Sequence, residues 1–221
     1  MPTALVTGAS AGLGRALAAA LVSRKWTVVG DGRDAAALGS AAHEIGFTAV
    51  PGDVTDPAHR ASLADACPSL DLLVNNASSL GVSPLPPLGS YPLAELEDVY
   101  RVNVFAPLAL TQLLLPALSR GVIINVSSDA AVEAYEGWGG YGSAKAALDQ
   151  VTAVLGAENP DLAVYAVDPG DLRTAMHQRA FPGEDISDRP LPSAAVPAFL
   201  RLLDERPPSG RYRAADLLVN A

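Results

Sequence analysis

The chain carries a single cysteine, Cys67, and only three histidines in 221 residues. One thiol cannot close an internal disulfide, and no Cys/His spacing of the metal-ligand kind occurs, so neither a disulfide scaffold nor a metal site is expected. Positive charge is also scarce: 15 Lys and Arg stand against 24 Asp and Glu, a net charge of −9, with no basic cluster. A phosphate backbone would meet repulsion, which argues against nucleic acid as a partner. No uninterrupted apolar run approaches the ~18 residues of a membrane span, and the first residues lack the basic stretch and long apolar core of a secretory signal. A cytoplasmic protein with no membrane partner is the expectation. Internal repeats and linker-like composition shifts are absent too.

What is present is apolar and periodic. Hydrophobic residues make up 49% of the chain, enough to bury one substantial core, and the length is too short for two typical α/β domains, so residues 1–221 read as a single domain. Strand-like apolar runs at 4–6, 26–30, 48–50, 70–74, 122–126 and 163–167 alternate with helical segments at 12–24, 34–45, 57–66, 92–118, 140–157 and 193–205. Strands too apolar to face water on either side imply a parallel sheet covered by helices on both faces, an α/β doubly wound Rossmann fold. Pro107, inside the long fourth helical segment, removes one backbone hydrogen bond and should bend it near Asn103.

Two local patterns carry chemistry. The first strand runs directly into Thr7-Gly8-Ala9-Ser10-Ala11-Gly12-Leu13-Gly14 and an alanine-rich helix. Glycines let the backbone turn tightly and approach a pyrophosphate, while the N–H groups at the helix start attract its charge. Farther on, Tyr141 and Lys145 stand at i,i+4 on one helix face. A neighbouring ammonium favours a phenolate, and lowering a phenol by about three units takes roughly 4 kcal/mol, which is plausible only in a partly desolvated cleft. The tyrosine–lysine spacing alone also fits a solvated helix face.

The glycine loop, Asp53-Val54, Asn75-Asn76-Ala77, Asn103, Ser128, Tyr141-x-x-x-Lys145 and Pro169-Gly170 together resemble, in order and approximate spacing, the classical short-chain dehydrogenase/reductase family. The resemblance spans nearly the whole chain. One departure is Ser78, where the family usually has glycine. The resemblance implies that Tyr141 donates the proton in reduction and accepts it in oxidation, and that Ser128 polarises the substrate oxygen. Ser127 could serve from chemistry alone, but the family spacing favours Ser128. Lys145 would lower the phenol and hold the nicotinamide ribose, and Asn103 would anchor a water joining Lys145 to solvent. Gly8, Ser10, Gly12, Leu13 and Gly14 would line the dinucleotide's phosphates. By the same resemblance Asp53 and Val54 meet the adenine, Asn75 and Ala77 line the adenosine ribose and the nicotinamide side, Pro169 and Gly170 belong to the cofactor site, and Thr174 faces the carboxamide. A turn-forming Asp53 is the plainer alternative.

Cofactor choice falls at Val28-Val29-Gly30-Asp31-Gly32-Arg33. An acid at the strand tip would accept from a ribose hydroxyl, whereas Arg can clamp a 2′-phosphate. Gly32 occupies the acid position of the family's NAD enzymes and Arg33 follows it, which resembles the NADP type, although Asp31 could reach the ribose if the register slipped. NADP is favoured over NAD. Tyr135, Trp138, Met176, His177 and Phe181 are candidate walls for the substrate, under a short lid near 175–192.

The reading that follows is an oxidoreductase passing hydride between NADP(H) and a carbonyl or secondary-alcohol substrate, a ketone or aldehyde reductase. Its long helices, 92–118 and 140–157, would pair with symmetry copies in a homodimer or homotetramer. The alternatives are a non-catalytic dinucleotide-binding sensor or scaffold, and an isomerase or dehydratase on the same fold.

Overall fold

The computed structural model describes residues 1–219, where the apolar runs become strands β1 (Thr3–Val6), β2 (Thr27–Gly32), β3 (Thr48–Pro51), β4 (Leu72–Asn75), β5 (Val122–Val126) and β6 (Ala163–Asp168), joined at the edge by β7 (Gly210–Arg213). All neighbours are parallel, in the order β3-β2-β1-β4-β5-β6-β7. The first six match the expected runs. The seventh was not anticipated, because Gly-Arg-Tyr-Arg lacks the apolar continuity of a central strand.

The period-two alternation of each strand divides its side chains between two cores. Ala4 and Val6 of β1 pack with Leu13, Leu17 and Leu21 of α1 (Gly12–Ser23), Leu38 of α2 (Ala35–Ile45) and Phe199 of α8 (Val196–Glu205). Leu5, between them, faces Leu63 of α3 (Pro57–Asp65), Leu110 and Leu114 of α5 (Ala106–Leu114) and Leu155 of α6 (Gly139–Glu158). Helices on both faces follow from strands that are apolar on both faces.

The expected bend is realised as a π-helical turn, Arg101–Phe105, between α4 (Leu93–Tyr100) and α5. Its cause is in the sequence: Pro107 has no N–H to offer the carbonyl of Asn103, four residues earlier. Two short helices escaped the sequence patterns, α7 (Ala175–Ala180) and α9 (Ala214–Val219), each too brief to establish a periodicity. Among the described residues no helix is long and apolar enough to cross a membrane.

The chain leaves β1 for β2 and β3 on one side and then returns to β4 on the other. Crossovers that depart in opposite directions leave a crevice beyond the carboxyl ends of β1 and β4.

Candidate active site

The glycine loop forms one wall of that crevice. Gly8 and Gly12 sit in left-handed backbone, φ +67° and +56°, and a Cβ on Gly14 would collide with the Gly8 carbonyl. The loop is pinned from below. The Gly8 N–H donates to Asp31 Oδ1 at 2.7 Å, and the N–H groups of Asn76 and Ala77 both donate to Thr7 Oγ1 at 2.9 Å. Ala11, the N-cap residue of α1, offers no side-chain hydrogen bond, unlike Asp34 and Asp56, which cap α2 and α3. The first N–H groups of α1 therefore lack intrahelical partners and are free for an anion.

At the adenine end, Arg33 is exposed beyond β2. Asp31 cannot reach a ribose: it is fully buried, with Oδ2 3.1 Å from His59 Nε2 and its other oxygen held by Gly8. Asp53 does form a turn, accepting from the N–H and hydroxyl of Thr55 at 2.8 Å each. Against the opposing pull of partial burial, these bonds and the nearby Arg33 guanidinium hold its carboxyl below the usual range. Val54 is buried beside it. Ser10 lies against Gly32.

Asn75 requires a correction. Its side chain is turned into the sheet, donating to Asn125 Oδ1 at 2.8 Å, while Asn125 donates to Thr152 at 2.8 Å. The cleft receives its neighbour Asn76 instead, whose amide donates to the Thr7 carbonyl at 2.8 Å. Strand alternation is the reason, since Asn75 shares a face with Leu73.

A cavity of about 600 Å³ runs from Gly8, Gly12, Leu13 and Ala77 to Ser128, Tyr141, Lys145, Pro169, Gly170 and Thr174. Helix α6 presents Tyr141 and Lys145 on one face, with the Lys145 ammonium 5.5 Å from the Tyr141 ring centre and donating to the Val126 carbonyl at 2.7 Å. Ser128, just past β5, donates to Asp129 Oδ1 at 2.9 Å. Ser127, also on the cavity wall, has a buried hydroxyl near the Asp149 carboxylate. Asn103 is buried in the π turn, where its Oδ1 accepts from the Ser79 N–H at 2.8 Å and the Ser78 hydroxyl at 3.1 Å. Its side chain thus anchors the segment that follows Asn-Asn-Ala. The hydroxyl of Ser78 links Asn103 to Tyr141.

The electrostatics differ from the expectation. Burial pushes the Tyr141 phenol above its ordinary value, with Asp129 and Asp168 pushing further, while hydrogen bonds from Ser78 and Ser128 pull back. Burial also lowers the Lys145 ammonium to about 8, opposed by Asp149 one turn along α6. Arg211 on β7 pairs with Asp149 at 2.9 Å and Asp168 at 3.5 Å, and donates to the Ser128 carbonyl at 3.0 Å. Asp149 was not singled out, although it stands four residues after Lys145 on the same helix. Arg211 was missed, and nothing in the linear sequence ties it to a site 66 residues upstream at Lys145.

The remaining wall is the lid. Thr174 caps α7 and sits across the cleft from Gly12. Arg179 donates to the Gly81 carbonyl at 3.1 Å and Ser83 to the Arg179 carbonyl at 2.6 Å, tying α7 to the opposite rim.

A family model described as short chain dehydrogenase matches residues 2–185. The chain belongs to the short-chain dehydrogenase/reductase family. It is accordingly an oxidoreductase by family. Among its relatives, serine 3-dehydrogenase of Agrobacterium fabrum is 36% identical over 184 residues, covering 78% of this chain and 72% of that one. Sepiapterin reductase of Bos taurus is 32% identical over 200 residues, covering 80% and 74%. A short-chain dehydrogenase of Escherichia coli CFT073, solved in complex with NADPH, superposes with a TM-score of 0.88 at 31% identity, covering 96% of each chain.

Proposed function

We propose that this short-chain dehydrogenase/reductase is an NADP(H)-dependent reductase of ketones or aldehydes, running in reverse as a secondary-alcohol dehydrogenase. The observation that carries the reading is the juxtaposition of Ser128 and Tyr141 in one cavity with the glycine loop. When bound, the nicotinamide supplies or takes up the hydride. The uncapped start of α1 and the left-handed turns at Gly8 and Gly12 fit a diphosphate, and Lys145 fits the ribose beside it. Ser128 and Tyr141 hold the substrate oxygen. Surroundings that raise the Tyr141 phenol keep it protonated and make it a weaker acid, so it gives up its proton only to the strongly basic alkoxide oxygen that hydride addition creates.

NADP is favoured over NAD because Arg33 stands exposed at the strand tip, Gly32 offers no carboxylate, and Asp31 is committed to Gly8 and His59. The NADPH bound by the Escherichia coli relative agrees. The whole chain acts as one cytoplasmic domain with residues 175–192 as its lid. Exposed Leu93, Phe105 and Leu113 along residues 93–113, with Val154 on α6, support assembly into a homodimer or homotetramer, which light scattering at micromolar concentration checks against a monomer mass. The function itself is tested with a panel of ketones, aldehydes and alcohols read by NADPH absorbance. Carbonyl-dependent NADPH loss is expected, and its absence across the panel in a protein that binds NADPH overturns the reading.

A further inference from the structure

We infer that the substrate half of the cleft is built for an amino alcohol or amino ketone, with the Asp129 carboxylate as counter-ion to an ammonium one or two carbons from the reacting centre. The inference rests on the proposed reading of Ser128 and Tyr141 as the groups that hold the substrate oxygen.

Three carboxylates line the cavity. Asp168 pairs with Arg211 at 3.5 Å, and Asp171 has Arg189 and His177 at 3.8 Å. Asp129 has no cationic partner among the described residues. Its Oδ1 accepts from the Ser128 hydroxyl at 2.9 Å and the Ala130 N–H at 2.8 Å, and its Oδ2 from the Tyr135 phenol at 3.0 Å, all neutral donors. They orient the carboxylate without cancelling its charge. A substrate oxygen bonded to Ser128 would lie one hydroxyl away from Asp129, so a cation on a neighbouring carbon falls within its reach.

The rest of the pocket suits the same cation. Trp138 stands edge-on to Tyr141 at 5.8 Å between ring centres and 6.0 Å from Phe181, and aromatic faces attract ammonium groups. A second observation is independent of Asp129. The His177 side chain is 9% exposed, and its Nε2 is buried without a hydrogen-bond partner on the wall of this cavity. A buried nitrogen of that kind calls for a ligand or a water. Asp171 Oδ1 lies 3.8 Å from Nδ1, and Nε2 is left as the ring nitrogen with an unfilled hydrogen bond. A substrate carboxylate finds the opposite situation. Among the described residues Lys145 is the one Lys or Arg in the lining, and it is committed to the Val126 carbonyl.

The test compares phenylethanolamine, the same secondary alcohol with methyl in place of the amine, and mandelate, each with NADP⁺. The amine should show the highest kcat/KM, about tenfold or more above its neutral isostere, with mandelate lowest. Asp129→Asn, or Asp129→Ser should that variant misfold, should bring the ratio of amine to isostere toward one, chiefly through the amine's KM. Thermal shift of the NADP⁺-loaded protein gives a readout without turnover: the amine should raise Tm more than its isostere does, and only with Asp129 intact. That shift without turnover would support the subsite while counting against the oxidoreductase reading. Turnover of the isostere with no amine advantage would overturn the subsite and leave the function standing. An amine advantage that survives Asp129→Asn, or an absent shift, also overturns the subsite.

Discussion

At one end of the cleft the wall is backbone. Gly8, Gly12 and Gly14 shape it; buried Asp31 holds the Gly8 amide in place, and Thr7 ties the loop to the amides of Asn76 and Ala77. At the other end the wall is side chain. Trp138, Tyr135, Met176, His177 and Phe181 stand on a short helix and on loops, tied across the mouth by Arg179 and Ser83. Backbone amides present the same donors whatever the sequence around them, so the first end suits a ligand that never changes. Side chains on a tethered lid can differ in size and charge without disturbing the sheet, so selectivity belongs to the second end. The tyrosine–lysine pair on α6, proposed as catalytic, sits between the two, with Lys145 buried in the core.

Three measurements sharpen that contrast. The largest effect is expected at the junction: Tyr141→Phe deletes the proton while keeping the ring, and should lower turnover at least ~10²-fold with NADPH binding retained. Turnover within a few-fold of wild type, where chemistry limits the rate, would remove Tyr141 from the mechanism. Next is the cofactor end. Arg33→Glu should raise the KM for NADPH by about tenfold or more while leaving the NADH value little changed, since only a 2′-phosphate pairs with the guanidinium. Equal movement of both constants would show that Arg33 does not read the phosphate. The smallest effect is in pH. The Lys145 ammonium, lowered to about 8 by burial, is charged below that pH and neutral above it, so NADPH affinity should fall several-fold as pH rises through about 8. Lys145→Met should bind more weakly and without that inflection; a parallel profile in the variant would assign the titration to another group.

The same lysine carries a stability consequence. Its folded-state value lies below the ordinary 10.5, so between about 8 and 10.5 the unfolded chain binds the extra proton, and the folded state gains stability as pH rises across that window.

The fold was legible because its signals are local. Apolar runs such as 122–126, bounded by turns, set strand and sheet type, and Pro107 marked the place of a bend, though not its π-helical form. The glycine loop was legible for the same reason. Tyr141 and Lys145 were readable as a pair through helix periodicity, but the direction of the phenol's shift was not, because the burial that chiefly sets it, with Asp129 and Asp168 adding to it, arises only through tertiary packing. Asn75 was misplaced for a related reason: a motif names residues without saying which face of the strand each one takes. Arg211 had no signal at all. It lies on a polar edge strand, and its partners Asp149 and Asp168 come from two other elements.

Gly32 has an implication for redesign. Its backbone lies outside the left-handed region, and a Cβ built there would stand 3.2 Å from the Ser10 hydroxyl oxygen and 3.5 Å from Leu38 Cδ1, so a side chain needs only a small adjustment of a rotatable hydroxyl. Anyone seeking to convert coenzyme preference therefore has an open slot at the strand tip, one step from Arg33. The tempting alternative, recruiting the acid already present at Asp31, would unhook the amide of Gly8 and strand His59 in the interior. The route to a different coenzyme runs through a residue with almost nothing to lose, and avoids the carboxylate that looks ready-made.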